Sequence, residues 1–129
     1  MIKSKNISKG KTGELLALKY LKRKGFQILY QNFRFGKFGE IDIICKKDDT
    51  LVFVEVKSRG NVEKGTPKES ITDFKKQRIL KSANFFLIKH PELSDLNLRF
   101  DFIGIKVKKN PFKRFEIEHI ENVFSFDEF

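Results

Sequence analysis

The sequence predicts a mixed α/β (α+β) fold, a central sheet flanked by helices, and three observations carry that expectation. Two segments hold apolar residues at helical spacing, five others alternate or concentrate β-branched and aromatic residues, and together they read α-β-β-β-α-β-β. The chain has 129 residues, of which 40% are hydrophobic. A chain of that size can bury roughly two-thirds of its unfolded surface in one domain, here 1–129, without a disulfide or structural metal.

Residues 12–24, TGELLALKYLKRK, set Leu15, Ala17, Leu18 and Leu21 on one stripe. Lys22, Arg23 and Lys24 follow where a helix dipole favours cations. Gly25 supplies a left-handed stop. FQILYQNFRF (26–35) is aromatic and β-branched and reads as a strand. A turn over Gly36 to Gly39 leads to EIDIIC (40–45), and a second, with Asp48 and Asp49, leads to LVFVEVKSR (51–59). After a polar loop over 60–68, the helix expected at 70–89 has Ser70 or Thr72 as cap. It buries Ile79, Leu80, Ala83, Phe86 and Leu87, and ends at His90-Pro91. LRFDFIGIKV (98–107) and FEIEHI (115–120) are the last strands, with 1–10 a basic arm and 122–129 a tail.

Several functional classes drop out. The longest apolar runs, LVFV (51–54) and FFLI (85–88), are far short of the roughly 20 residues of a membrane span. The basic N-terminus is not followed by the apolar core of a secretory signal, so no membrane association and a cytoplasmic location are expected. A lone Cys45 excludes paired-cysteine zinc sites and internal disulfides, and with only His90 and His119 a histidine relay is hard to assemble.

Charge gives the first functional direction. The formal net charge is +10, and residues 1–40 hold ten Lys/Arg against two acids, Glu14 and Glu40. Such a field favours polyanions, nucleic acid or an anionic surface, although charge alone is equally well explained by solubility.

Two strands carry acids where a buried strand should not. Asp42 sits between Ile41 and Ile43, and Glu55 and Lys57 interrupt an otherwise apolar β-run. Alternation puts Val52, Val54 and Val56 on one face and Leu51, Phe53, Glu55 and Lys57 on the other, with Glu55 and Lys57 about 7 Å apart. An isolated E-x-K on a strand most often marks a solvated strand end at which the lysine neutralises the acid. Two adjacent strands, each presenting a carboxylate across a hairpin, also bring two oxygen ligands to one divalent cation. The Val56 carbonyl and water complete the hard oxygen environment that Mg²⁺ requires. Such a metal acidifies water and neutralises a scissile phosphate, and Lys57 beside it orients the attacking water.

G-E-I-D-I-I (39–44) followed by V-F-V-E-V-K-S-R (52–59) resembles the PD-(D/E)xK nuclease core. The wider pattern closely resembles the YraN family, itself similar to Holliday junction resolvases. That pattern includes Gly13-Glu14 with Ala17 and Leu21, Asn32, Gly65 with Pro67, Ser70-Ile71-Thr72 then Lys75, and Arg99-Phe100-Asp101. The resemblance implies a restriction-endonuclease-like fold in which Asp42 and Glu55 hold the metal and Lys57 is the catalytic lysine. Glu14 matches a helical acid that resolvase-like members add to the site; equally, an acid early in a helix is favoured by the dipole. Lys75 matches a family position at the start of the second helix, with Arg78 one turn on. Asp101 also matches, without a physical role visible in the sequence.

The reading is therefore a metal-dependent endonuclease hydrolysing DNA, branched or single-stranded, with Mg²⁺ or Mn²⁺ on Asp42, Glu55, the Val56 carbonyl and Glu14. Arg34, Lys37, Arg59, Lys75 and Arg78 would contact phosphates. The alternative is a non-catalytic nucleic-acid-binding protein that keeps the fold; a basic protein attached to a ribosome or membrane surface ranks last, since it leaves the acids unexplained. No dimer seam is visible, so monomer and homodimer both stay open.

Overall fold

The computed structural model describes residues 9–37, 39–59, 71–109 and 111–125, and its elements follow the expected order. Helix α1 (Lys9–Arg23) precedes strands β1 (Gln27–Phe35), β2 (Gly39–Lys47) and β3 (Thr50–Arg59). Helix α2 (Asp73–Lys89) and a 3-10 turn, Pro91–Leu93, lead to β4 (Asn97–Lys108) and β5 (Arg114–Phe124). The strands form one mixed sheet in the order β1-β2-β3-β4-β5. The other neighbours are antiparallel, whereas β3 and β4 run parallel, as a crossover through α2 demands. This is the central mixed sheet with helices expected of a nuclease-like α/β fold. Of the basic arm expected over 1–10, residues 9 and 10 belong to α1; residues 1–8 and the polar loop over 60–68 lie outside the described residues.

Each face of the sheet carries its own core, and β3 divides them by alternation. Val52 and Val54 pack with Ala17, Leu18 and Leu21 of α1. Leu51 and Phe53 pack with Ile79, Ala83 and Phe86 of α2. Leu15 departs from the expected stripe and is 49% exposed, because Ala17, Leu18 and Leu21, flanked by the partly buried Leu16 and Tyr20, fill the contact with the sheet. On α2 the buried positions are Ile79, Ser82, Ala83 and Phe86, while Leu80 and Leu87 are only partly covered.

The helix ends follow their sequence signals. Gly25 adopts φ +94°; its N–H donates to Lys22 O at 3.1 Å and that of Phe26 to Leu21 O at 2.9 Å, the paired bonds of a Schellman stop. Of the two caps proposed for α2, Thr72 serves: its Oγ1 accepts from the Lys75 N–H at 3.2 Å, so the helix starts at Asp73. Of the tail expected over 122–129, residues 122–124 belong to β5, and 126–129 lie outside the described residues. Strand β5 runs on to Phe124 because Val123 and Phe124 are buried, with Phe124 stacked on Phe100 at a centroid separation of 4.4 Å.

Asp101 gains its physical account here. The β4–β5 register slips between Phe100↔Phe124 and Phe102↔Ile120, leaving the β5 backbone near Asn122 out of the ladder. Asp101, 1% exposed, sits in that irregularity and accepts from the Asn122 N–H at 3.0 Å. It also accepts two bonds from Arg99, both 2.9 Å, and one from His119 Nε2 at 2.7 Å. An ionised carboxylate only accepts, so His119 carries a proton on Nε2, and its Nδ1 is hydrogen-bonded to the Tyr20 hydroxyl of α1 at 3.0 Å. Burial opposes the charge, but the bonds from His119, Arg99 and Asn122 outweigh it and hold the Asp101 carboxyl below the usual carboxylate range. The residue is a structural hub that ties β4, β5 and α1 together. Replacing it strands several donors, so Asp101→Ala should lower the unfolding free energy by about 3 kcal/mol in urea titrations.

Candidate active site

The site begins where the β2–β3 ladder opens. These strands pair from Lys47↔Thr50 to Ile43↔Val54. Beyond that point β3 continues beside β4 as far as Arg59↔Lys106, and β2 stays with β1 as far as Phe35↔Gly39. The next facing pair in that register would be Asp42 and Glu55. In place of a strand-to-strand bond, Asp42 Oδ2 accepts from the Val56 N–H at 2.8 Å. The side chain thus satisfies a backbone donor released by the parting strands, which fixes one carboxylate at the fork.

Helix α2 closes over that fork because β2 starts with a glycine. A Cβ at Gly39 would lie 3.1 Å from Ser82 Oγ and 3.2 Å from both Arg78 Cβ and the Arg78 carbonyl oxygen. The close approach sets the first turns of α2 over the acids, and the result is a cleft of about 240 Å³ lined by Gly39, Glu40, Asp42, Glu55, Lys75, Arg78 and Ile79. Lys75 Nζ reaches Glu55 Oε2 at 2.8 Å. On the opposite face, α1 meets β3 through Gly13, which abuts the Ser58 hydroxyl; the next residue is Glu14.

Asp42 feels this crowding. Burial, then the Glu55 charge, push its carboxyl up to about 7; the Val56 N–H bond works in the opposite direction, and Glu14 and Glu40 add to the repulsion. Acids from three separate stretches of chain, Glu14 of α1, Glu40 of β2 and Glu55 of β3, therefore bear on the charge of Asp42. Among the described residues, no three acidic, His or Cys side chains converge into a ready-made metal cage.

Lys57 lies on the Glu55 face by alternation, next to Gly104 of β4, half-buried and outside the cleft lining. Arg34 pairs with Glu40 at 3.1 Å. Arg78 donates to the Lys37 carbonyl at 2.9 Å, while the Lys37 side chain itself is exposed. Arg59 ends β3, and its side chain lies outside the described residues. Glu40, outside the acids that the strand pattern indicates, also lines the cleft; its mark in the sequence is that it is one of only two acids in the basic first 40 residues.

Comparison with known proteins then fixes the family. The family described as "Uncharacterised protein family UPF0102" matches residues 13–105. The chain belongs to the UPF0102 (YraN) family. A UPF0102 protein of Natranaerobius thermophilus is 44% identical over 119 residues, covering 92% of this chain and 98% of the relative. One from Persephonella marina is 44% identical over 119 residues, covering 92% and 95%. Another, from Clostridioides difficile, is 42% identical over 119 residues, covering 92% and 98%. The UPF0102 match takes in Glu14, Asp42, Glu55, Lys57, Lys75 and Asp101, whereas His119, which holds Asp101, lies beyond it.

Two measurements test this geometry. A Gly39→Val side chain has to displace the α2 backbone, so it should cost about 1–3 kcal/mol in urea unfolding, as overpacking does. The raised Asp42 carboxyl stabilises the fold fully below its unfolded value, near 3.8, and that contribution is lost as pH rises through about 7. In EDTA, the stability of Asp42→Asn relative to the parent should therefore increase between pH 4.5 and 7.5, because the amide keeps the Val56 bond without the charge.

Proposed function

We propose that the protein is a metal-dependent phosphodiester hydrolase acting on nucleic acid, with DNA as the preferred substrate. One observation carries the reading: Asp42 and Glu55 share a cleft roofed by the basic start of α2, where Asp42 is held near neutrality by burial and by its neighbour. Two crowded carboxylates beneath Lys75 and Arg78 form a site that attracts a cation below and a phosphate above.

The donor set fits a hard divalent ion. The Asp42 and Glu55 carboxylates are all-oxygen donors. Lys75 Nζ at 2.8 Å from Glu55 is an ammonium standing where positive charge is wanted, and Mg²⁺ commonly takes only one or two protein carboxylates and keeps several waters. Mg²⁺ or Mn²⁺ would be held by Asp42, Glu55 and the Val56 carbonyl, with Glu14 as a further acid. When bound, it supplies neutralisation of the scissile phosphate and a more acidic water. Lys57 orients the water that attacks phosphorus. Lys75 and Arg78, together with Arg34, Lys37 and Arg59, bind the flanking phosphates; Arg34 does so as part of its pair with Glu40. The early turns of α2 add the positive end of a helix dipole to that grip. No helix among the described residues is long and apolar enough to cross a membrane, and a cytoplasmic location is part of the proposal because that is where the substrate lies.

The Lys75–Glu55 contact also favours a second reading, a non-catalytic nucleic-acid-binding protein whose acid is neutralised by its own lysine. One assay separates the two. Labelled duplex, single-stranded and four-way-junction DNA are incubated with Mg²⁺ or Mn²⁺ and the parent, Glu55→Ala or Lys57→Ala. The hydrolase reading expects metal-dependent cleavage that falls by about 100-fold or more in either variant. Salt-sensitive binding without turnover, unchanged or strengthened by Asp42→Ala, supports the binding protein.

A further inference from the structure

Phe74 is the second residue of α2 and lies directly before Lys75 of the cleft. It is 66% exposed, and unlike the exposed Phe112 and Phe115 it stands at the rim of the cleft. Its place at the rim follows from helix geometry: Lys75, Arg78 and Ile79 share the stripe that faces the cleft, and Phe74 neighbours Arg78 one turn back. The Arg78 guanidinium carbon stands 5.3 Å from the Phe74 ring centre, and the same guanidinium donates to the Lys37 carbonyl at 2.9 Å. The ring is therefore steadied by an arginine that is itself tied to the β1–β2 turn, at the rim where Lys75 and Arg78 stand over the acids of the cleft.

We propose that Phe74, with Arg78, forms a stacking shelf for an unpaired nucleobase, so that the substrate of the cleft is single-stranded or locally unpaired nucleic acid. The inference rests on the reading of the cleft as a phosphodiester site and assigns its substrate class. An exposed aromatic ring fixed by a guanidinium presents a flat π-surface to a flat partner, and the cations Lys75 and Arg78 beside it suit the phosphates of the same strand. In an intact duplex both faces of every base are already stacked, so the shelf selects against continuous double helix. The occupant is a nucleobase and not an apolar protein surface because the shelf adjoins Lys75 and Arg78, and the neighbouring β1–β2 hairpin adds Arg34 and Lys37.

The sequence contains no Trp, so Phe74→Trp places a single indole reporter on the shelf. The full-length variant is titrated in EDTA, where no cleavage occurs, with oligothymidylate and with an abasic oligomer of equal length and charge. Stacking predicts indole quenching by oligothymidylate and little by the abasic strand. Equal quenching by both, or none by either, overturns the proposal. In parallel, Phe74→Ala should weaken single-strand binding, read by anisotropy at fixed salt, by about 5-fold or more, while the dependence on salt stays that of the parent. Phe74→Tyr should restore it. An unchanged affinity in Phe74→Ala overturns the shelf even where cleavage is observed, and base-dependent quenching without cleavage in Mg²⁺ leaves the shelf standing and removes the hydrolase.

Discussion

The constraint on which this structure turns is the parting of β2 from β3 one step beyond Ile43↔Val54. Had the ladder continued, Asp42 and Glu55 would have been an ordinary facing pair, a like-charge mismatch on a buried sheet. Because it opens, the Val56 N–H needs an acceptor, Asp42 provides it, and the carboxylate is locked into a fork where Glu55 raises the cost of its charge. The surrounding architecture serves to keep that fork open and electrically strained. Strand β4 holds β3 straight through the parallel ladder, Gly39 admits α2, and α2 carries Lys75 to the acids.

The far side of the sheet performs a complementary task. The bonds that converge on Asp101 repair the β4–β5 irregularity and, through His119 and Tyr20, tie the sheet to α1. That helix approaches β3 at Gly13 and thereby sets Glu14 where its charge acts on Asp42. Asp101 and Asp42 thus illustrate two fates of a carboxylate on one sheet. The first is buried with a full set of donors and stays charged; the second is buried with one backbone donor and other acids, and holds its proton to near-neutral pH.

Much of this was legible in the sequence. Period-2 alternation through 51–57 identified the face that Glu55 shares with Phe53, and Gly25 and Thr72 marked helix ends that their backbone bonds then explain. What remained hidden depended on register. The role of Asp101 follows from a slip in β5, in a segment that reads as a tail by composition, and the contribution of Glu40 follows from the angle at which α2 crosses Gly39. Neither quantity leaves a local pattern, because each is set by contacts between residues far apart in the chain. The phosphate ligands proposed from charge illustrate the same limit: Arg34 and Arg78 both have protein partners that composition could not indicate.

The central claim is that Asp42 and Glu55 form a site whose unmet need is a cation. Isothermal titration of Mn²⁺ into the metal-free protein near pH 6.5, repeated in buffers of different ionisation enthalpy, tests it most directly. The account predicts saturable 1:1 binding accompanied by proton release from the parent, with release lost in Asp42→Asn and binding lost in Glu55→Gln. Absence of saturable binding by the parent, or binding of equal strength in Glu55→Gln, would contradict it.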